Sequence, residues 1–231
     1  MKTIGIIGGL PWPSTTAYYQ RINQLVAQKL GPFHCAKLVL VQTDFDAIKK
    51  AAAGDQWDDI GKLLVSSAKQ LEDAGADFIV IACNTVHMVL PAVQHEIRLP
   101  VLHIVDVTAE KVKRCGFKTV GLLGTVYTMK DDYFSGRLRD NYGITVLLPA
   151  PGKTVLIQHA AEQEVATGVL PEDGRATFRQ VIDELVTQGC EAIILGCTDF
   201  ERYLHAGDLP VPLIDTAAEH VEATVAMAFA E

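Results

Sequence analysis

Two stretches of this 231-residue chain carry one pattern twice. Residues 75–85 read GADFIVIACNT and residues 189–199 read GCEAIILGCTD, so a glycine, a small residue, an acid, an apolar run, a cysteine and a hydroxyl or amide residue recur in register. The duplication reaches further: KTIGIIGG at 2–9 matches KTVGLLGT at 118–125, and Leu99-Pro100-Val101 with Asp106 matches Leu209-Pro210-Val211 with Asp215. Three segments in one order, offset by 109 (Asp106 to Asp215) to 116 (Lys2 to Lys118), are repeats of domain size. Solenoid units are shorter, roughly 20 to 50 residues. The chain is therefore expected to fold as two equivalent lobes, residues 1–105 with 216–231 and residues 106–215.

Between the repeated segments, short Val, Ile and Leu runs alternate with stretches of helical spacing, the pattern of a parallel sheet covered on both faces. Strands are predicted at 3–7, 37–41, 78–82, 101–104, 119–123, 145–148, 192–195 and 213–214, four to a lobe. Helices are predicted at 14–30, 58–74, 131–141 and 174–188, most finishing near a glycine, with a last one over 216–230. The expected fold is α/β, with two pseudosymmetric domains, each a four-stranded mainly parallel sheet flanked by helices.

Composition removes several functions. A net charge of −8 lacks the clustered cations that nucleic acid requires. No apolar run approaches the roughly 20 residues of a membrane span, and Met1 leads straight into a strand pattern, so a cytoplasmic protein is expected. Five cysteines, an odd number with no CxxC pair, point to reduced thiols and to no metal site. Cys35, Cys115 and Cys190 read as small packed hydrophobes. Gly8-Gly9 suggests a phosphate loop, but neither GxGxxG nor GxxxxGK[ST] is present.

Sites in open parallel sheets lie just beyond the carboxyl ends of the strands. Residues 8–15 follow the first strand and Cys83-Asn84-Thr85 the third; residues 124–128 and Cys197-Thr198-Asp199 hold the matching places in the second half. Asn84, Thr85 and Thr198 suit helix N-caps, and a helix start can also receive a carboxylate. His87, four residues after Cys83, is spaced either to tune the thiol or to pack. Trp12 and Trp57 read as packing residues.

Taken together, Cys83-Asn84-Thr85, Gly196-Cys197-Thr198, the opening Ile-Gly-Ile-Ile-Gly-Gly and the Gly-Thr-x-x-Thr of 124–128 resemble the aspartate/glutamate racemase family, from Met1 to the last helix. Within it the chain is similar to the aspartate branch, since Gly-Gly-Leu-Pro replaces the Asp-Ser-Gly of glutamate racemases and Asp199 replaces their His. The resemblance implies a cofactor-independent, PLP-independent amino acid racemase with its active site at the interface of the two domains. It implies Cys83 and Cys197 as catalytic residues that serve opposite faces of Cα, one as thiolate and one as thiol, each turnover exchanging their states. It further implies that fixed donors hold the carbanion as an enediolate: Asn84 and Thr85 with Thr198 and Thr125 or Thr128, and Asp199 facing the ammonium or fixing its loop. Leu10 completes the substrate-binding set.

Aspartate-selective members place a basic residue soon after the second strand, where Lys49 lies with Lys50 as alternative, and a second lysine where this chain has Ala166. One of two expected cations is missing, so the resemblance leaves open aspartate or a broader amino acid range. The wider superfamily also contains isomerases and decarboxylases that act through one cysteine, and a non-catalytic small-molecule-binding regulator would need the same scaffold. Family members are often homodimers, which is the expectation here. No nucleic acid, membrane or metal partner is expected.

Overall fold

The computed structural model describes residues 1–130, 132–167, 172–198, 200, 204 and 209–230, and side chains outside 130, 163–167, 172 and 173. Its central strand, β1 (Ile4–Gly8), is buried at every residue, as a continuous apolar run in a parallel sheet should be. α1 (Trp12–Leu30) carries the chain back to β2 (Leu38–Gln42), which pairs with β1 from Ile4↔Leu38 to Gly8↔Gln42. α2 (Phe45–Ala53) and α3 (Trp57–Asp73) form the next crossover, to β3 (Phe78–Ile81) on the other side of β1. A single 3₁₀ turn, Thr85–Val89, and α4 (Leu90–Glu96) follow. Ile60, Leu64, Ala68 and Leu71 line one face of α3 at helical spacing and pack with Ile7, Ile79 and Ile81. Truncating Leu64 or Leu71 to Ala should cost about 2–5 kcal/mol.

The strand expected at 101–104 is not one. Val101 forms a lone parallel bridge with Ile79, through Ile79 N–H to the Pro100 carbonyl and Leu102 N–H to the Ile79 carbonyl, both 2.9 Å. Two residues later Ile104 and Val105, both buried, already open α5 (Ile104–Arg114). Asp106 in that first turn suits the positive end of a helix. The first sheet thus has three strands, β2-β1-β3.

The second sheet has the four that were expected. β4 (Thr119–Gly124) is central; α6 (Val126–Lys130) and α7 (Asp132–Tyr142) lead to β5 (Thr145–Leu147). α8 (Pro151–Thr167) and α9 (Glu172–Thr187) lead to β6 (Ala192–Gly196), and β7 (Leu213–Asp215) precedes α10 (Thr216–Phe229). The order is β5-β4-β6-β7, all parallel. By compactness the chain divides into Met1–Ile104 with His220–Glu231, and Val105–Glu219.

The duplicated motif has a physical reading in each half. Gly75 (φ 82°) and Gly189 (φ 95°) occupy the left-handed region that ends a helix. Ala76 and Cys190 N–H then reach back to the carbonyls of Leu71 and Leu185, and the glycine amides to Glu72 and Val186, the two bonds of a Schellman turn. The acid that follows clamps the adjacent central strand. Asp77 Oδ2 accepts from Thr3 N–H, while Glu191 Oε2 accepts from Lys118 N–H at 2.6 Å and Thr119 N–H at 2.8 Å. Those two amides hold the Glu191 carboxyl below the usual glutamate range.

Candidate functional site

Beyond β1 the chain turns tightly. Thr43 donates both its N–H and its hydroxyl to the Gly8 carbonyl at 2.9 Å, and Gly9 N–H donates to Thr15 Oγ1 at 2.8 Å. Gly9 has φ 78°, and a Cβ there would lie 2.1 Å from the Thr43 carbonyl oxygen, so only glycine fits. Thr15 takes the amide that an anion would need. Leu10 is 1% exposed and belongs to the core of its unit, whereas Trp12, read as a packing residue, is 65% exposed. Its place at the start of a helix, beside Pro11 and Pro13, holds it outside the core.

Past β3, Cys83 is half-buried, and its N–H donates to the Ile81 carbonyl at 2.8 Å. Asn84 is buried at the N-cap position of the 3₁₀ turn, yet its side chain makes no capping hydrogen bond there; the N-cap expectation for it does not hold. Thr85 beside it is half-buried. His87 Nδ1 lies 2.7 Å from the Cys83 carbonyl oxygen. A carbonyl only accepts, so Nδ1 carries the proton.

His87 packs against two further histidines, with ring centroids 5.0 Å from His103 and 5.9 Å from His220. His220 Nε2 lies 3.0 Å from the Leu102 carbonyl and must donate, which leaves Nδ1 to accept from the Tyr18 hydroxyl at 2.9 Å. That tautomer is neutral. Burial first, then the neighbouring His87, pushes the His220 pKa down to about 3 against the smaller opposing effect of the Leu102 carbonyl.

In the second unit, β4 and β6 end on paired glycines, Gly124↔Gly196, which set Thr125 and Cys197 side by side just beyond the sheet. A Cβ on Gly124 would lie 3.0 Å from Thr128 Cγ2 and one on Gly196 3.2 Å from it, so the Thr128 methyl covers both. Thr125 caps α6, its hydroxyl accepting from Thr128 N–H at 3.2 Å, and the two hydroxyls share a 3.0 Å bond. Thr128 is fully buried; Thr125 is the one of the pair with access to solvent. Gln158 of α8 accepts from Val126 N–H at 2.9 Å. Cys197 is half-buried, Thr198 is buried, and the Cys197 carbonyl accepts from Phe200 N–H at 3.3 Å.

Asp199 lies outside the described residues, and so does the Ala166 side chain. Lys49 sits exposed on α2, while Lys50 pairs with Asp46 at 2.6 Å. Of the three cysteines read as packed, only Cys190 is buried; Cys35 follows α1 and Cys115 follows α5 in exposed turns. Among the described residues no group of three or more His, Cys, Asp or Glu could hold a metal, and no helix is long and apolar enough to cross a membrane. Thr15 and Gln158, which fix the two loops after the central strands, were not singled out in the sequence. Nothing in a lone Thr or Gln signals such a role.

Within the first unit the structure brings Cys83, Asn84 and Thr85 together, and within the second Cys197, Thr198, Thr125 and Thr128. Each group offers one partly accessible thiol beside hydroxyl or amide donors, a set able to move a proton and to hold developing negative charge. Comparison with known proteins accords with this chemistry. A family model described as Asp/Glu/Hydantoin racemase matches residues 7–224. A Bacillus subtilis (strain 168) protein named broad specificity amino-acid racemase RacX is 26% identical, covering 96% of each chain. A Yersinia pestis crystal structure described as a candidate Asp/Glu racemase is 39% identical over the whole of both chains, with a TM-score of 0.93. An aspartate racemase homologue from Pyrococcus horikoshii OT3 is 32% identical over 99% of each chain, with a TM-score of 0.85.

Proposed function

Because the chain belongs to the Asp/Glu/Hydantoin racemase family, we propose that this PLP-independent amino acid racemase inverts Cα by two-base proton transfer between Cys83 and Cys197. The observation that carries the mechanism is positional. Of the five cysteines, these two alone are half-buried, and each stands just beyond the strand that neighbours its central strand. Lobes of residues 1–105 with 216–231 and of residues 106–215 then supply one thiol each.

One cysteine starts as thiolate and removes the α-proton; the other, as thiol, returns a proton to the opposite face. A free thiol ionises near pH 8.5, so a poised thiolate needs neighbouring donors at neutral pH. Asn84, Thr85, Thr198 and Thr125 are the donors assigned to the enediolate, and Asp199 to the ammonium or its loop. Leu10 and Thr128, both buried, are assigned to the substrate-binding set.

We assign Lys49 to a side-chain carboxylate and propose a range of amino acids rather than aspartate alone. Ala166 in place of an expected lysine supports this breadth, as does the likeness to RacX. The active form is taken to be a homodimer, which light scattering tests; a mass of 25.1 kDa in solution would refute it.

The deciding experiment incubates an L-amino acid in D₂O. Product D-enantiomer labelled at Cα is expected, and neither Cys83→Ala nor Cys197→Ala should form it. Full racemisation by both variants would refute the mechanism.

A further inference from the structure

The two cysteines are held by different means. Cys197 sits directly beyond β6, and its carbonyl accepts from a backbone amide, that of Phe200, at 3.3 Å. Cys83 lies two residues past the end of β3, off the ladder, and its carbonyl accepts from a side chain, His87 Nδ1–H, at 2.7 Å. The offset of 114 that takes Cys83 to Cys197 takes His87 to Glu201, which lies outside the described residues. A side chain of this kind thus serves Cys83 without a matching histidine in the other half.

The histidine is itself firmly placed. It is 1% exposed, and its ring lies against His103 and His220. His220 is fixed in turn by the Tyr18 hydroxyl and the Leu102 carbonyl. The backbone that carries the Cys83 thiol is held by its own N–H to Ile81 and by the His87 imidazole on its carbonyl. A shift near 1 Å at a reacting group can cost on the order of 100-fold in rate.

We propose that His87 is a positioning residue for Cys83, fixing the cysteine through its backbone carbonyl. This rests on the reading of Cys83 as an acid–base residue.

Four variants test it. Asn places an amide N–H where Nδ1 was, Gln places one where Nε2 was, and Phe keeps a planar ring without a donor. His87→Phe should lower kcat at least 10-fold with KM within about twofold, and change the rate at which iodoacetamide labels Cys83 several-fold, read by peptide mass spectrometry. Cys197 labelling, measured in the same sample, should stay unchanged. His87→Asn should restore most of both readouts, and His87→Gln should not. Wild-type kcat and labelling in a folded His87→Phe, or equal behaviour of the Asn and Gln variants if Phe does not fold, would overturn the proposal. Cys83→Ala separates the two readings. If it still racemises, the two-cysteine mechanism fails, while Cys83 labelling in the His87 variants still reports on positioning by itself.

Discussion

Gly124 and Gly196 face each other in register across β4 and β6, and the Thr128 methyl lies over both. A side chain on either glycine would have to displace that methyl or a strand carbonyl. Gly124→Ala should lose about 1–3 kcal/mol, as overpacked sites do, and lower the unfolding midpoint by roughly 2–4 °C for each kcal/mol. Thr128→Ser removes the methyl but keeps the hydroxyl. The double variant Gly124→Ala/Thr128→Ser should therefore be more stable than the sum of the single changes, a coupling that a denaturation cycle measures.

His220 links acid stability to the buried histidines. Its folded pKa, about 3, lies below the ordinary 6.5, so the unfolded chain binds the extra proton between those values. Stability from this group is complete above pH 6.5 and is lost as pH falls toward 3. Near pH 5 the loss is about 2 kcal/mol. Thermal unfolding at pH 8, 6.5 and 5 should show the midpoint dropping, and His220→Gln should show a flatter dependence over that range.

Glu191 of the repeat gives the same sign over a lower range of pH. Glu191 is held below its usual pKa by the amides of Lys118 and Thr119, so its contribution is present above pH 4.5 and fades as pH falls below it. Glu191→Gln should unfold at a lower temperature than wild type at pH 7. The gap should shrink on acidification toward pH 3; a gap independent of pH would show that the charge is not what the strand uses.

The proposed assignment of Lys49 to a substrate side chain can be tested by replacing it. Replacing it by Ala should raise KM for aspartate about 10-fold or more, the loss of one charge-assisted bond. KM for amino acids with uncharged side chains should stay within about twofold. Chiral chromatography of a panel of L-amino acids reads both outcomes, and an equal change across the panel would remove Lys49 from the pocket.

Much of the fold was legible because the repeat carries its own physics. The Schellman glycines of 75–85 and 189–199 specify a helix end that needs no distant partner, and the apolar run after each announces a buried strand. Where context decides, the sequence misleads. Residues 101–104 are as apolar as a strand, yet Ile104 is recruited to the start of α5. α8 escapes notice because its apolar residues are not on one side, with Val155 and Leu156 both exposed. With α8 unseen, Gln158 and its hold on Val126 N–H were out of reach. Cys83 and Cys197 stand out in sequence because they close a repeated motif, whereas the link from His87 to a backbone carbonyl depends on a turn that spacing alone does not specify.

The shortened pairing at Val101 has a consequence for folding autonomy. The Leu102 carbonyl, which the next rung of a longer strand would occupy, accepts instead from His220 in the C-terminal helix. Lys2 N–H likewise reaches the Ala228 carbonyl of that helix at 2.7 Å. A fragment ending at residue 104 would therefore lack the segment that satisfies its own backbone, leaving Tyr18 and His87 facing a gap. Although the gene reads as a duplication, its first half is not a self-sufficient module, because it waits for the last residues of the chain before it can close.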